Sequence, residues 1–359
     1  MIKVYQLYLV KTFWKIFFIT FLIFFSLIII LNIFEEVSFF KDVSVNPLYP
    51  FYLTLLTTPA VVYETFPFIF FISTQFLFIR LLDKDELDIF KKISLSNFKL
   101  ISILSLSTFL ISLLIITIFY NFSSNLKFIY LEMKNKYSGD NKYLAIVTEN
   151  GLWIKDEIGD KINIINADKI EGKFLKNVTI NQFSKDYNII NNIVADKIDI
   201  QNKNWIIIKG NFSKINQSLK TRENVVFSSN FDAEKINNLF SDLSSLNIFE
   251  LNKLKKDYSN LGYSVTNIDI HFQKLISYPI YLTIMTIFAS VIMFNIKKNK
   301  SKVFHIVLGT FFSVVIYYMN FFSSLLGQNE RLPEIFSIWL PLIIISLFCS
   351  IGLVRINEK

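Results

Sequence analysis

Residues 16–34 read IFFITFLIFFSLIIILNIF, with no charged side chain in the run. A helix rising about 1.5 Å per residue needs roughly 20 apolar residues to cross a hydrocarbon core of about 30 Å, and this stretch is long enough. Lys3, Lys11 and Lys15 precede it, as in a secretory signal. It exceeds the length of a signal core, and Glu35, Glu36 and Val37 follow where a small-residue cleavage site would stand, so it reads as a retained helix. Five further runs have the same character: one within 51–79, interrupted only by Glu64, and those at 100–122, 275–296, 303–326 and 335–354. Six charge-poor runs in one chain have no soluble reading, so the fold class is an α-helical membrane protein with six transmembrane helices. The second run is long for one span and contains Pro59 and Pro67. The spacing predicts an interfacial segment over 47–57 and a span that starts near Pro59, capped by Thr57 or Thr58.

Of the 359 residues, 52% are hydrophobic and 18% charged, which excludes a disordered chain. The single cysteine, Cys349, excludes a disulfide scaffold. The net charge of +8 does not mark a nucleic-acid binder, because the basic residues cluster beside the spans. Arg80, Lys84, Lys91, Lys92 and Lys99 lie between the second and third spans, and Lys297, Lys298, Lys300 and Lys302 between the fourth and fifth. Arg355 and Lys359 follow the sixth, whereas the opposite loops hold Lys41 and Arg331. The positive-inside bias therefore predicts cytoplasmic termini.

Residues 123–273 are polar and lie outside the cytoplasm by this topology. Segments 143–148 and 152–154 flank Asn150-Gly151, a type I′ hairpin dipeptide, and a second turn follows at Ile158-Gly159-Asp160-Lys161. Further strands are expected at 162–165, 178–183, 189–194, 198–201 and 205–209, as an inserted all-β periplasmic domain, jelly-roll-like or a sandwich. Ile248, Leu251, Leu254 and Tyr258 then recur at helical spacing, with Gly262 as the stop. The domains are thus 1–122, with a cytoplasmic segment at 80–99; 123–273; and 274–359.

No phosphate-binding G-x-x-x-x-G-K-[ST] is present, and His271 and His305 have no partners in a metal-ligand spacing. No nucleophile, base or paired-carboxylate constellation supports catalysis, so no enzyme, cofactor or metal is expected. Glu64, inside an apolar run, reads as interfacial because it lies close to the expected helix start.

Three helices, a large β domain and three more helices make a layout that resembles the LptF and LptG permeases of the bacterial lipopolysaccharide exporter. Asn150-Gly151-Leu152-Trp153-Ile154-Lys155-Asp156 resembles the G-L-W-x-[KR]-D hairpin of LptG, the more similar of the two. Residues 174–183 (FLKNVTINQF), 196–205, and Gly309, Tyr317, Tyr318, Pro333 and Trp339-Leu340-Pro341 are similar to further family segments. Asp85-Glu86-Leu87 stands where the family has S-E-L in a short coupling helix. The sequence departs from the family at 91–96, which lacks the usual small residues and glycine, and at Asn32, where some relatives are basic.

The resemblance implies a transport subunit that pairs with a second, LptF-like permease. A separate LptB-like ATPase dimer would dock below it, and an LptC-like bridge protein would receive lipopolysaccharide. It implies that Asp85, Glu86, Leu87 and Phe90 couple to the ATPase, with Glu86 meeting a basic residue and Leu87 and Phe90 entering a groove. It further implies that the first and fifth helices line a lipid cavity, with Phe21 and Phe25 on acyl chains. Lys41, Lys127, Lys274 and Arg331 would hold headgroup phosphates, where a cation beside low-dielectric lipid attracts an anion strongly. Trp153 is expected to be structural hairpin packing. Two readings stand beside the exporter: an envelope scaffold whose β domain recruits partners, and a permease for another lipid or lipoprotein.

Overall fold

A computed structural model describes residues 3–41, 45–135, 137, 152–171, 173–185, 188–213, 220–233, 236, 242–260, 264–294 and 301–357. In chain order the elements are helices α1 (Val4–Phe39), α2 (Leu48–Asp83), α3 (Glu86–Lys92) and α4 (Asn97–Leu114), a π-helical turn (Ile115–Tyr120), and α5 (Asn121–Asn135). Strands β1 (Leu152–Ile158), β2 (Lys161–Glu171), β3 (Phe174–Ser184), β4 (Ile189–Asp199), β5 (Asn204–Ser213) and β6 (Lys220–Ser228) follow. Helices α6 (Ile248–Asn260), α7 (Thr266–Phe294), α8 (Lys302–Gln328) and α9 (Glu334–Asn357) complete the order. The chain divides into two compact units, Met1–Lys127 with Val265–Lys359, and Phe128–Ser264.

Among the described residues six helices are long and apolar enough to cross a membrane: α1, α2, the continuous stretch Asn97–Lys134, α7, α8 and α9. The expected break before Pro59 is absent. Helix α2 runs unbroken from Leu48 to Asp83 through both Pro59 and Pro67. Hydrocarbon offers no water to a freed carbonyl, so a helix end is costly there, and a proline is tolerated when side chains compensate. Thr58, one of the two threonines expected to cap a new helix, instead donates from Oγ1 to the Thr54 carbonyl at 2.7 Å within this one. The Tyr63 carbonyl, which Pro67 leaves without its helical donor, accepts from the Tyr278 hydroxyl of α7.

Helices α2 and α7 form the middle of the bundle, with 61% of their most apolar windows buried. Phe66, Phe70 and Phe78 of α2 pack with Phe13 and Phe17 of α1, Leu104 of α4 and Leu282 of α7 in one cluster. Thr108 and Thr286 share a hydroxyl contact of 3.3 Å between α4 and α7, the kind of polar contact that joins helices where lipid gives no hydrophobic drive.

The second unit holds one six-stranded antiparallel sheet in the order β1-β2-β3-β4-β5-β6, each strand beside its neighbour in sequence. Gly159, at φ +59°, makes the tight turn between β1 and β2, where Ile158 pairs with Lys161. The strands expected at 189–194 and 198–201 are a single strand, β4; register shifts around Ala195–Ile198 against β5 interrupt the alternation that a sequence pattern reads. Strand β6 carries no such pattern and was not expected. Segment 143–148 and Asn150-Gly151 lie outside the described residues, as does Gly262.

Asp156 on β1 is fully buried and accepts three hydrogen bonds from the chain just beyond β6: Ser229 Oγ at 2.8 Å, the Asn230 amide N–H at 3.2 Å and Asn230 Nδ2 at 2.8 Å. In a flat sheet the first and sixth strands would lie roughly 24 Å apart, at about 4.8 Å per neighbour. Asn204 still pairs with Ser228, and the next two residues span at most about 7 Å. The sheet must therefore curl until its first and last strands approach. Trp205 is the buried tryptophan and donates from Nε1 to the Phe231 carbonyl at 2.8 Å. Trp153, expected to pack the hairpin, is 53% exposed.

Replacing Asp156 with Ala leaves buried donors without an acceptor and is expected to cost about 2–3 kcal/mol. Amide hydrogen exchange should accelerate in β1 and β6 and remain unchanged in α2 and α7.

Candidate functional site

The segment after α2 is held by its apolar edge. Asp85 takes a left-handed conformation at φ +53° and turns the chain into α3. Leu87 and Phe90 point inward, into the cluster that includes Phe78, Leu81, Leu95 and Leu100. A seven-residue helix is too short to stand alone, so burying these two side chains is what fixes it. Leu87 and Phe90 therefore do not form an outward apolar edge; Ile89 and Ile93, 53% and 56% exposed, do. Glu86 also turns inward, and its Oε1 accepts from the Tyr8 hydroxyl of α1 at 2.8 Å. Asp85, Asp88, Lys91 and Lys92 are exposed. The acids occupy the first turn of α3 and the bases its last, as the helix dipole favours.

Two helices present apolar surface outward. Only 17% of the most apolar window of α1 and of α8 is buried. Phe18, Leu22, Ile30 and Phe34 are exposed on α1, and Val307, Phe311, Tyr318 and Phe322 on α8. Phe21 and Phe25 lie at the edge of the α1 face. They stack on each other at 5.9 Å, and Phe21 stacks on Phe66 of α2 at 6.0 Å, so each is partly buried. Near its start α8 is fastened to α2. Gln75, fully buried, donates from Nε2 to the His305 carbonyl at 3.0 Å. Gly309 makes this approach possible, because a Cβ there would overlap the Gln75 amide and crowd Phe71. Lys302, at the start of α8, pairs with Asp83 at the end of α2.

Midway along α2 and α7, beside the π-helical turn that follows α4, lies a polar aromatic group. Tyr63 stacks on Tyr278 at 4.5 Å and lies 5.2 Å from Tyr120. The Tyr278 hydroxyl donates to the Tyr63 carbonyl, and Tyr120 shares a 2.9 Å hydrogen bond with His271. Tyr120 closes the π-helical turn, a feature often found at working sites. Glu64 lies roughly 28 Å along the helix from Asp83, close to one hydrocarbon thickness, and within electrostatic reach of Lys274. Lys41 and Arg331 are exposed in turns, Lys274 is exposed on α7 and Lys127 is half-buried on α5. Among the described residues no hydrogen bond or ion pair joins these four to one another. Tyr8 and Gln75 escaped the sequence reading. Gln75 carries a signal, as an amide within an apolar run; Tyr8 carries none.

Six spans with a short helix packed between them define the class as a multi-pass membrane protein. The model of the family described as lipopolysaccharide export system permease LptF/LptG matches residues 7–355, and the chain belongs to that family. No curated protein matches the sequence. The six apolar helices and the family together fit a multi-pass inner-membrane protein.

Gly309→Ala is expected to push Gln75 off the His305 carbonyl and to destabilise the bundle by about 1–3 kcal/mol, as overpacking does. Thermal unfolding of the purified protein in detergent should show it. Adding Gln75→Ala should recover part of the loss.

Proposed function

We propose that this chain is an LptG-type half of a lipopolysaccharide ABC exporter, paired with an LptF-like permease and driven by an LptB-like ATPase dimer. The observation that carries the reading is the outward apolar surface of α1 and α8, the two least buried helices, which are the first and fifth spans. A lipid with several acyl chains needs a wide apolar wall, and two such faces, closed by those of a second permease, supply one. The side chains that meet the acyl chains are Phe18 and Leu22 on α1 with Tyr318 and Phe322 on α8, and Phe21 and Phe25 flank them at the inner edge.

The bundle of 1–122 and 274–359 spans the inner membrane with both termini in the cytoplasm, as the distribution of lysine and arginine supports. Residues 123–273 lie in the periplasm, where the curled six-stranded sheet that Asp156 requires meets an LptC-like bridge. Lys41, Lys127, Lys274 and Arg331 lie toward the periplasmic end and serve the headgroup phosphates. At the other end Asp85, Asp88 and Ile89, exposed on a segment anchored by Leu87 and Phe90, receive the ATPase, while Glu86 holds that segment to Tyr8.

A photo-crosslinking residue at Leu22 or Tyr318 should capture lipopolysaccharide in intact membranes, and the yield should change with ATP. One at Trp153 should capture none. Capture at Trp153 with none on either helix would contradict the cavity.

A further inference from the structure

Helix α3 is tied directly to α1, and the end of α2 that leads into it is tied to α8. Toward α1 the tie is the Tyr8–Glu86 hydrogen bond, 2.8 Å long, between side chains 78 residues apart. Arg80 of α2 lies within electrostatic reach of the same hydroxyl. Toward α8 the tie runs through the last turns of α2: Asp83, three residues before α3 begins, pairs with Lys302 in the first turn of α8. Two turns deeper, Gln75 holds the His305 carbonyl. Leu87 and Phe90, both buried, leave α3 little freedom to slide on its own helices. A push on its exposed face therefore passes to its polar ties rather than being absorbed.

We propose that Tyr8 and Asp83 are positioning residues that convert one displacement of α3 into concerted movement of α1 and α8, Tyr8 by holding Glu86 and Asp83 by holding Lys302. This rests on the exporter reading, in which a partner ATPase pushes α3 and α1 and α8 line the cavity. The two ties do different work. The Asp83–Lys302 pair is half-exposed on both sides, so its attraction is small at rest, and it guides the start of α8. The Tyr8–Glu86 bond is charge-assisted and directional, and it fixes the orientation of α3 against α1. One carboxylate oxygen of Glu86, Oε2, is buried with no hydrogen-bond partner among the described residues, so Tyr8 alone holds that carboxylate in place.

The test uses the full chain in complex with its permease partner and ATPase, with Cys349→Ser, and spin labels at Ile30→Cys on α1 and Leu326→Cys on α8, both exposed. In the parent, ATP should shift the distance between the labels. Tyr8→Phe, which removes only the hydroxyl, should reduce that shift by at least half and lower lipopolysaccharide-stimulated ATP turnover several-fold, with the ATPase still bound at parental stoichiometry. Asp83→Asn should act in the same direction. Tyr8→Phe combined with Glu86→Ala should be no worse than Glu86→Ala alone, because Tyr8 acts through that carboxylate; a purely local packing role would give additive losses. A parental shift in Tyr8→Phe would overturn the inference while leaving the exporter intact. A parent that binds an ATPase but shows no ATP-dependent shift would overturn the exporter's moving cavity, and this inference with it.

Discussion

Every backbone carbonyl inside hydrocarbon needs a partner from the protein, and this rule shapes α2 more than any other element. Two prolines would end a helix in water. Here the Tyr63 carbonyl, which Pro67 leaves without its helical donor, accepts from the Tyr278 hydroxyl of α7, and the helix continues. The result is one 36-residue rod, about 54 Å long, that carries Glu64 near its midpoint and leads into α3 at its end. It is the spine against which α1, α7 and α8 are placed. Gln75 extends the same logic sideways: a buried amide in a membrane helix must find an acceptor, and it finds the His305 carbonyl because Gly309 leaves room.

A carboxylate plays the corresponding part in the sheet. Asp156 is buried, and the donors that satisfy it come from beyond the last strand, so the sheet cannot lie flat. The same residue ends the sequence motif that resembles LptG, which gives that motif a structural meaning: its aspartate closes the curl, while its tryptophan faces outward.

The spans were legible because charge-free runs of that length have one physical use. The break at Pro59 was misread because the proline rule belongs to helices in water. The split of β4 was misread because a bulge resets alternation without ending a strand. The inward turn of Leu87 and Phe90 needs tertiary knowledge, since an apolar pair on a short helix can serve its own core or a partner equally well. Tyr8 could not be found from sequence at all, because a tyrosine at the start of a span commonly snorkels to the interface.

The most direct measurement of the central claim is gentle purification of the chain from its native membrane, followed by assay of ATP turnover with and without added lipopolysaccharide. The exporter account predicts a co-purifying ATPase whose turnover rises with lipopolysaccharide. Stable isolation of the inserted chain with partners but no ATPase would contradict it and favour a scaffold.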